Sequence, residues 1–414
     1  MIFISSLELS NFKSFRKLKI DHLGALNVLI GTNASGKSNF IQVFRFLRDV
    51  ADHGLGNAVS MQGGPEYIRN ANLPSSEPLS ISISYNPDLS LLPPDKDRTM
   101  VIRVPSVTYE FMIRFRKGKR FAVTRDRLSS RLEFYSIAGK DKGTRIGDGI
   151  SILEHRGEKI DYRLSVPEGI PLQNGDIFPA LLKSERIGTD TLLLEKSLFG
   201  FAHRLDRFSD RIAFYNFDPK LPKGSAAIAG KAELEEDGRN LAICLEKLMG
   251  DRDRKRKFSN LVKDILPFIK DIEVEKVTDQ TLLVKLREIY SGGARIPAPF
   301  ISDGTFNIIA LVIVLYFEDK DFVIMEEPER SIHPLLISKV IGMMKDASER
   351  KQILLTTHHP EIVKYAELEN VFFSSRDKEG FSTIIRPAEK EEVKTFLRHD
   401  LGMEDLFRQD LLGL

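Results

Sequence analysis

Gly31-Thr32-Asn33-Ala34-Ser35-Gly36-Lys37-Ser38 fits the pattern G-x-x-x-x-G-K-[ST], a loop that cradles phosphate. Residues 26–30 before it (LNVLI) read as a short buried strand. Residues 39–51 after it (NFIQVFRFLRDVA) carry apolar side chains at helical spacing. A chance match in a glycine-containing loop would not bring that strand–loop–helix order with it. The glycines permit backbone conformations that a Cβ would block. Inward-facing N–H groups and the positive end of the following helix then favour an anion. In this pattern Lys37 reaches the β- and γ-phosphates and the Ser38 hydroxyl ligates Mg²⁺. Gly31, Asn33, Ala34, Ser35, Gly36, Lys37, Ser38 and Asn39 are therefore the candidate contacts of a nucleoside triphosphate.

The rest of the composition is that of an ordinary globular protein. The chain has 414 residues, 42% hydrophobic and 29% charged, enough for two or three folding units. Cys244 is the single cysteine, which excludes an internal disulfide and suits a reducing compartment. The first residues lack the charged-then-apolar layout of a secretion signal. The longest uncharged apolar run, residues 308–317, is too short to span a bilayer. A cytoplasmic protein without a membrane segment is expected. A formal charge of +2 neither demands nor forbids a nucleic-acid partner.

Taken in order, residues 1–20 read as two strands about a turn at Phe12-Lys13-Ser14-Phe15. Stretches 81–85, 100–104, 109–116, 120–125 and 131–135 read as strands of an antiparallel meander. Asn86-Pro87, Lys117-Gly118 and Ser129-Ser130 supply its turn signals. Residues 138–175 are rich in glycine and charge and read as loops and short strands. Helices are expected over 179–208, 238–249 and 258–269, a strand over 212–217, and a hairpin over 272–277 and 281–289. Beyond Gly292-Gly293 short apolar strands alternate with helices: helix 305–317, strand 322–325, helix 334–350, strands 352–356, 371–374 and 381–385, and a terminal helix 390–398. That alternation predicts a parallel sheet covered by helices. The predicted division is 1–137 and 271–414 as the two halves of one nucleotide-binding head, with 138–270 as an insert that becomes mainly helical.

Phe322-Val323-Ile324-Met325-Glu326-Glu327 is an apolar strand ending in acids, at the strand end where ligands bind in such sheets. Downstream of a phosphate loop, Glu326 is the candidate holder of Mg²⁺ and Glu327 the candidate base or positioner of the attacking water. Glu329 could belong to the site but reads better as a surface or helix-entry residue. His358, after the next strand, is a candidate hydrogen-bond donor to a γ-phosphate; His359 is the weaker choice. Metal binding by the pair His358 and His359 is a weak alternative, since adjacent residues on a strand point to opposite faces. Ser302-Asp303-Gly304 opens a helix. Ser302 or Asp303 could simply cap it, or Ser302 and the Gly304 N–H could bind a γ-phosphate held by a second copy.

These four stretches, GTNASGKS, ISDGT, FVIMEEPE and LLTTHHPE, stand in an order that resembles the ABC-type ATPase heads of the SMC, RecF and OLD families. Closer still, the chain is similar to compact AAA family ATPases of that clan, such as the ATPase subunits of anti-phage defence systems. NFKSF at residues 11–15, Gln62-Gly63-Gly64 and DGRNLA at 237–242 carry the resemblance further. It covers roughly residues 1–70 and 235–375. It implies a P-loop NTPase of α/β class with an ABC-type head: a mixed or parallel core sheet plus an antiparallel sheet. It also implies ATP and Mg²⁺ as cofactors and dimerisation around two nucleotides. Ser302, Asp303 and Gly304 of one copy would close over the γ-phosphate on its partner's loop, Glu327 would drive hydrolysis, His358 would sense the γ-phosphate, and Ser331-Ile332-His333 would lie in the interface loop. Two departures stand out. Glu326 replaces the usual Asp, and neither Gln62 nor Asn216 suits the glutamine that normally follows the second sheet. OLD nucleases carry a TOPRIM domain after the head, and none is expected in the roughly 55 residues after His358.

The resemblance also implies a homo-oligomer with a dimeric core and a separately encoded effector or nuclease, often in phage defence. DNA is a further candidate partner. Basic clusters at 114–120, 125–131 and 252–257 could contact phosphates, or form solvated charged faces, partly offset by Asp251 and Asp253. The expected function is an ATPase that couples nucleotide state to control of DNA or an effector. The alternatives are a nucleotide-gated scaffold with little turnover and a DNA-repair ATPase. Cleavage of nucleic acid by the chain itself is disfavoured, since no separate nuclease cluster is visible.

Overall fold

A computed structural model describes residues 2–92, 100–115, 121–136, 143–170, 172, 186–196 and 208–389. The chain forms two compact units that do not follow chain order. The first comprises Met1–Gly24, Ala34–Ile212 and Ser374–Ile384; the second comprises Ala25–Asn33, Ala213–Phe373 and Ile385–Leu414. Gly31–Asn33 of the phosphate loop thus belong to one and Ala34–Ser38 to the other. The expected terminal helix 390–398 and most of the expected helix 179–208 lie outside the described residues; the described stretch 186–196 is not an α-helix and holds only the short 3-10 turn Leu193–Glu195.

The first unit is built on an antiparallel sheet. Its strands are β1 (Phe3–Phe12), β2 (Phe15–Ile20), β4 (Leu79–Asn86), β5 (Leu89–Leu91), β6 (Met100–Phe115), β7 (Phe121–Ser136), β8 (Thr144–Arg156) and β9 (Lys159–Ser165). They run in the order β2-β1-β4-β6-β7-β8-β9, with β5 on β6. Strand β4 shows why: its buried and half-buried residues alternate, the period of a strand with one face on a core. Helix α1 (Lys37–His53) supplies that core with Phe40, Ile41, Val43, Phe44, Phe46, Leu47 and Val50, all buried. Phe46 packs 6.1 Å from the Phe12 ring and 6.5 Å from Phe111.

Several expectations are corrected here. The described parts of stretches 100–104 and 109–116 belong to one strand, as do those of 120–125 and 131–135, and Ser129-Ser130 is no turn. Ser130 is buried between Val107 of β6 and Ser151 of β8. A strand paired on both sides overrides the local turn preference of serine. The glycine-rich stretch 138–175 holds the long pair β8 and β9 rather than loops with short strands.

A buried polar cluster ties the segment around Leu193 to this sheet. Asp126, fully buried on β7, accepts hydrogen bonds from Tyr109 Oη (2.9 Å) and the Leu193 N–H (2.7 Å). His155 Nδ1 lies 3.3 Å from Asp126 Oδ2, and its Nε2 lies 2.7 Å from the Gly157 carbonyl oxygen and 3.3 Å from that of Ile187. Both ring nitrogens face acceptors, so the imidazolium suits the site. The bond to Asp126 raises the imidazole pKa against the cost of burial. Burial likewise raises the Asp126 carboxyl. Both shifts have the same sign: stability from the cluster is complete below the ordinary values and is lost as pH rises through the elevated ones. Melting temperature should therefore fall as pH rises above 6.5, the ordinary histidine value, and His155→Gln should flatten that slope. An equal slope in the variant would refute the assignment.

The second unit holds β3 (Leu26–Gly31), β10 (Ile212–Tyr215), β15 (Phe322–Glu326) and β16 (Gln352–Thr357), together with the first half of β17 (Val371–Arg376). Their order is β10-β15-β16-β3-β17, and β15, β16 and β3 are parallel. Strand β18 (Ser382–Ile385) follows β17 at the edge of this sheet. A smaller sheet carries the expected hairpin, β12 (Ile269–Thr278) with β13 (Thr281–Glu288), flanked by β11 (Ala226–Ala227) and β14 (Ile296–Pro297). Helices α2 (Leu241–Met249) and α3 (Arg252–Ile265) pack with them. Helix α3 begins six residues before the expected 258. The Asp251 side chain accepts from the Asp253 and Arg254 N–H groups and caps it, so the basic run 252–257 becomes its exposed first turns.

Helix α4 (Asp303–Tyr316) is buried on nearly every side and ends on a buried cation. Lys351 Nζ donates to the carbonyls of Val314 (2.9 Å) and Glu318 (2.8 Å), satisfying orphan acceptors of the last turn. Helices α5 (Pro334–Ser348) and α6 (Pro360–Tyr365) complete the unit. No described helix is long and apolar enough to cross a membrane.

Candidate functional site

The parallel ladder sets the geometry. Glu326 of β15 pairs with Thr356 of β16, and Thr357 pairs with Ile30 of β3. The acids, Thr357-His358 and the start of the phosphate loop at Gly31 therefore emerge at the same edge of the sheet, the carboxyl ends of its strands.

The loop itself suits an anion. Ala34 (φ 63°) and Gly36 (φ 115°) are left-handed, and a Cβ on Gly36 would collide with the Ser382 hydroxyl. No side chain caps α1 and no acid lies in its first turn, so its N-terminal donors suit a phosphate. The buried Ser35 hydroxyl has no partner. Within the first unit, Ser374 donates to the Ser35 carbonyl (3.2 Å) and Arg376 to the Ala34 carbonyl (2.7 Å). Asn39 donates to Ser14 Oγ (2.7 Å), which also accepts from Ser382 Oγ (2.7 Å). In this arrangement Asn39 braces the loop. Lys37 is buried and Ser38 exposed. The residues present therefore fit a nucleotide phosphate chain.

Beyond the strand end, Glu327 adopts a left-handed backbone (φ 46°), a strained state for a glutamate. Its N–H donates to the Thr356 carbonyl (2.9 Å), which holds the turn. Its carboxylate meets His358 Nδ1 (2.9 Å) and the Arg330 guanidinium (3.1 Å). Burial alone would raise its pKa, but Arg330 and His358 together outweigh burial and hold it below the usual carboxylate range. Glu329 is not a surface residue. It is 5% exposed, accepts from the Thr357 hydroxyl, and is pushed up to about 7 by burial.

Ser302 caps α4, its Oγ accepting from the Thr305 N–H (3.2 Å) and lying 2.7 Å from Thr305 Oγ1. The capping role is therefore present, and Ser302 remains exposed. Asp303 forms an ion pair with Lys223. Gly304 is required for space: a Cβ would strike the Ser331 carbonyl oxygen. Asn307, one turn on, is buried and donates to the carbonyls of Pro328 (3.0 Å) and Arg330 (2.6 Å). The helix opened by Ser302 is thus fastened to the turn that carries Glu327. Sequence reading missed Asn307, Lys223 and Arg376, whose partners are remote in sequence, and gave Ser14, within NFKSF, no contact with Asn39.

Some residues of the basic clusters have partners within the protein, while 252–257 stay exposed. Arg125 pairs with Glu110 (2.7 Å) and Arg131 with Asp148 (3.7 Å). Arg254 and Lys257 lie over the Phe317 ring. Residues 116–120 lie outside the described residues.

Comparison with known proteins agrees with this architecture. The chain is 22% identical over 375 residues to Endonuclease GajA of Bacillus cereus, a match covering 87% of this chain and 56% of GajA. It is 36% identical over 56 residues to the DNA replication and repair protein RecF of Oenococcus oeni, 14% of this chain and 15% of RecF. The chain thus spans about half the length of GajA and a small part of RecF. Among solved structures, an SMC head bound to the C-winged helix domain of ScpA superposes with a TM-score of 0.52 at 14% identity, covering 92% of this chain and 97% of that one. The fold is that of a P-loop NTPase with an ABC-type head. Residues 26–364 match the model of the family described as "AAA domain, putative AbiEii toxin, Type IV TA system", and the chain belongs to that family.

Proposed function

We propose that this chain binds ATP with Mg²⁺, that two copies close around the nucleotide, and that its hydrolysis controls a separately encoded effector or DNA. The observation that carries the reading is the shared strand edge of Gly31, Glu326-Glu327 and Thr357-His358. Lys37 and the loop N–H groups would take the phosphates, and Ser38 and Glu326 are the residues that would hold Mg²⁺. Glu327, ionised and anchored by Arg330 and His358, would orient water toward the γ-phosphate, and His358 would sense the γ-phosphate. Ser302, Asp303 and Gly304 complete the site of a second copy. A metal ion would neutralise charge on the phosphates as they separate. Similarity to an endonuclease and to a replication and repair protein supports a nucleic-acid setting, and the anti-phage resemblance of the motifs supports defence.

The test is phosphate release and solution mass, each with and without MgATP. Mg²⁺-dependent hydrolysis and a mass that doubles with ATP are expected. Lys37→Ala should weaken ATP binding by at least about 10-fold, the loss of one charge-assisted contact. A chain that stays monomeric and inert with MgATP would overturn the reading.

A further inference from the structure

Among the described residues, one cluster of metal-binding side chains includes two, Glu329 and His359, that the proposed ATP·Mg²⁺ chemistry does not use. A ligand atom from each of Glu329, His358 and His359 lies within 4.8 Å of the other two. The two histidines are adjacent, and on a strand they would face apart. Strand β16 ends at Thr357, however, and beyond it the imidazole rings lie side by side, 4.3 Å between centroids and tilted by 36°.

We propose that Glu329, His358 and His359 form a site for a borderline transition-metal ion of the Zn²⁺ class, and that its occupancy holds the protein off. Three observations support the site. Two imidazoles and one carboxylate suit Zn²⁺, Co²⁺ or Ni²⁺, whereas Mg²⁺ takes oxygen ligands. His358 Nδ1 faces the Glu327 carboxylate at 2.9 Å, which leaves Nε2 to coordinate. A carboxylate behind a histidine is the usual outer shell of such ligands. Glu329 Oε2 is buried with no partner, while its other oxygen is oriented by Thr357, whose hydroxyl in turn accepts the His359 N–H (2.9 Å). A metal would give that orphan atom its partner.

Tetrahedral Zn²⁺ with bonds of about 2.0–2.1 Å brings ligand atoms to about 3.3 Å from one another. His358, with 42% of its side chain exposed, and the half-buried His359 have room to close that gap by rotation. Water would fill the fourth position. A bound ion would take His358 from the γ-phosphate and pin it against the Glu327 turn. This regulatory consequence rests on the ATPase reading above; the metal site does not.

The experiment is a titration of the metal-free full chain with Co²⁺ alone, followed by displacement with Zn²⁺, in the absence of nucleotide. One equivalent with the intense visible absorption of tetrahedral Co²⁺ is expected. His359→Asn, a change at a partly exposed position, should weaken binding by about 10–100-fold; Glu329→Gln should do the same. Absent stoichiometric binding, or wild-type affinity in both variants, would overturn the site. In phosphate-release assays, micromolar Zn²⁺ should inhibit the wild type and leave His359→Asn, whose basal rate is unchanged, active. Ligand-dependent binding without inhibition would uphold the site and overturn the regulatory role. A chain that binds Co²⁺ but never hydrolyses ATP would instead refute the ATPase reading alone.

Discussion

Glu327→Gln is expected to lower ATP hydrolysis by about 10²–10⁴-fold, the range for losing a general base or water-orienting carboxylate, while leaving ATP affinity close to wild type. The geometry makes this a clean substitution. Glutamine keeps the length of the side chain, and its carbonyl oxygen can still accept from Arg330 or His358, which now sit 3.1 Å and 2.9 Å from the carboxylate. What it loses is the negative charge. In the wild type that charge persists at neutral pH, because Arg330 and His358 more than offset the effect of burial on its pKa. The variant should bind ATP, pair with a second copy and remain paired, since release follows hydrolysis in the proposed cycle. Single-turnover phosphate release and solution mass on the same sample check both parts. Wild-type turnover in the variant would remove Glu327 from the chemistry.

Asn307→Ala should cost about 1–3 kcal/mol of stability, because it leaves the buried Pro328 carbonyl and the partly buried Arg330 carbonyl without their donor. Those carbonyls, of Pro328 and Arg330, lie just after Glu327, whose backbone is held in a left-handed turn. The same change should therefore reduce turnover beyond what lost stability explains, with kcat falling while KM stays near wild type. Asn307→Asp discriminates packing from donation. It keeps the volume but turns both N–H donors into acceptors facing acceptors, so it should be at least as damaging as alanine. Denaturant midpoints with unchanged slopes measure the first effect, and steady-state kinetics the second. If Asp at 307 behaved like Asn, the two bonds would not be what holds the turn.

Much of the fold was legible because its signals are local. The loop at Gly31–Ser38 announces itself by spacing, and the strands beside it by unbroken apolar runs, as in Phe322–Glu326 with four buried residues in five. The long strands of the antiparallel sheet were less legible. Ser129-Ser130 and the glycines at 147 and 149 look like turns until a neighbouring strand claims their hydrogen bonds. The start of α3 was missed for a related reason: a run of six charged residues hides helical periodicity, and the cap at Asp251 was not read as one.

Sequence alone determined the kind of site this is: a phosphate loop, an acid-ended strand, a histidine after the next strand and a serine-capped helix, each encoded within a few consecutive residues. Tertiary structure alone decided how those parts are held. Glu329 is buried against Thr357, 28 residues away, and Asn307 reaches Pro328 and Arg330 across 21 and 23 residues. Lys223 meets Asp303 across a still longer stretch of chain. Spacing along a chain specifies periodicity and local turns, but it carries no record of which distant carbonyl or carboxylate a buried donor will meet, and those meetings decide which polar groups lose water and what they do afterwards.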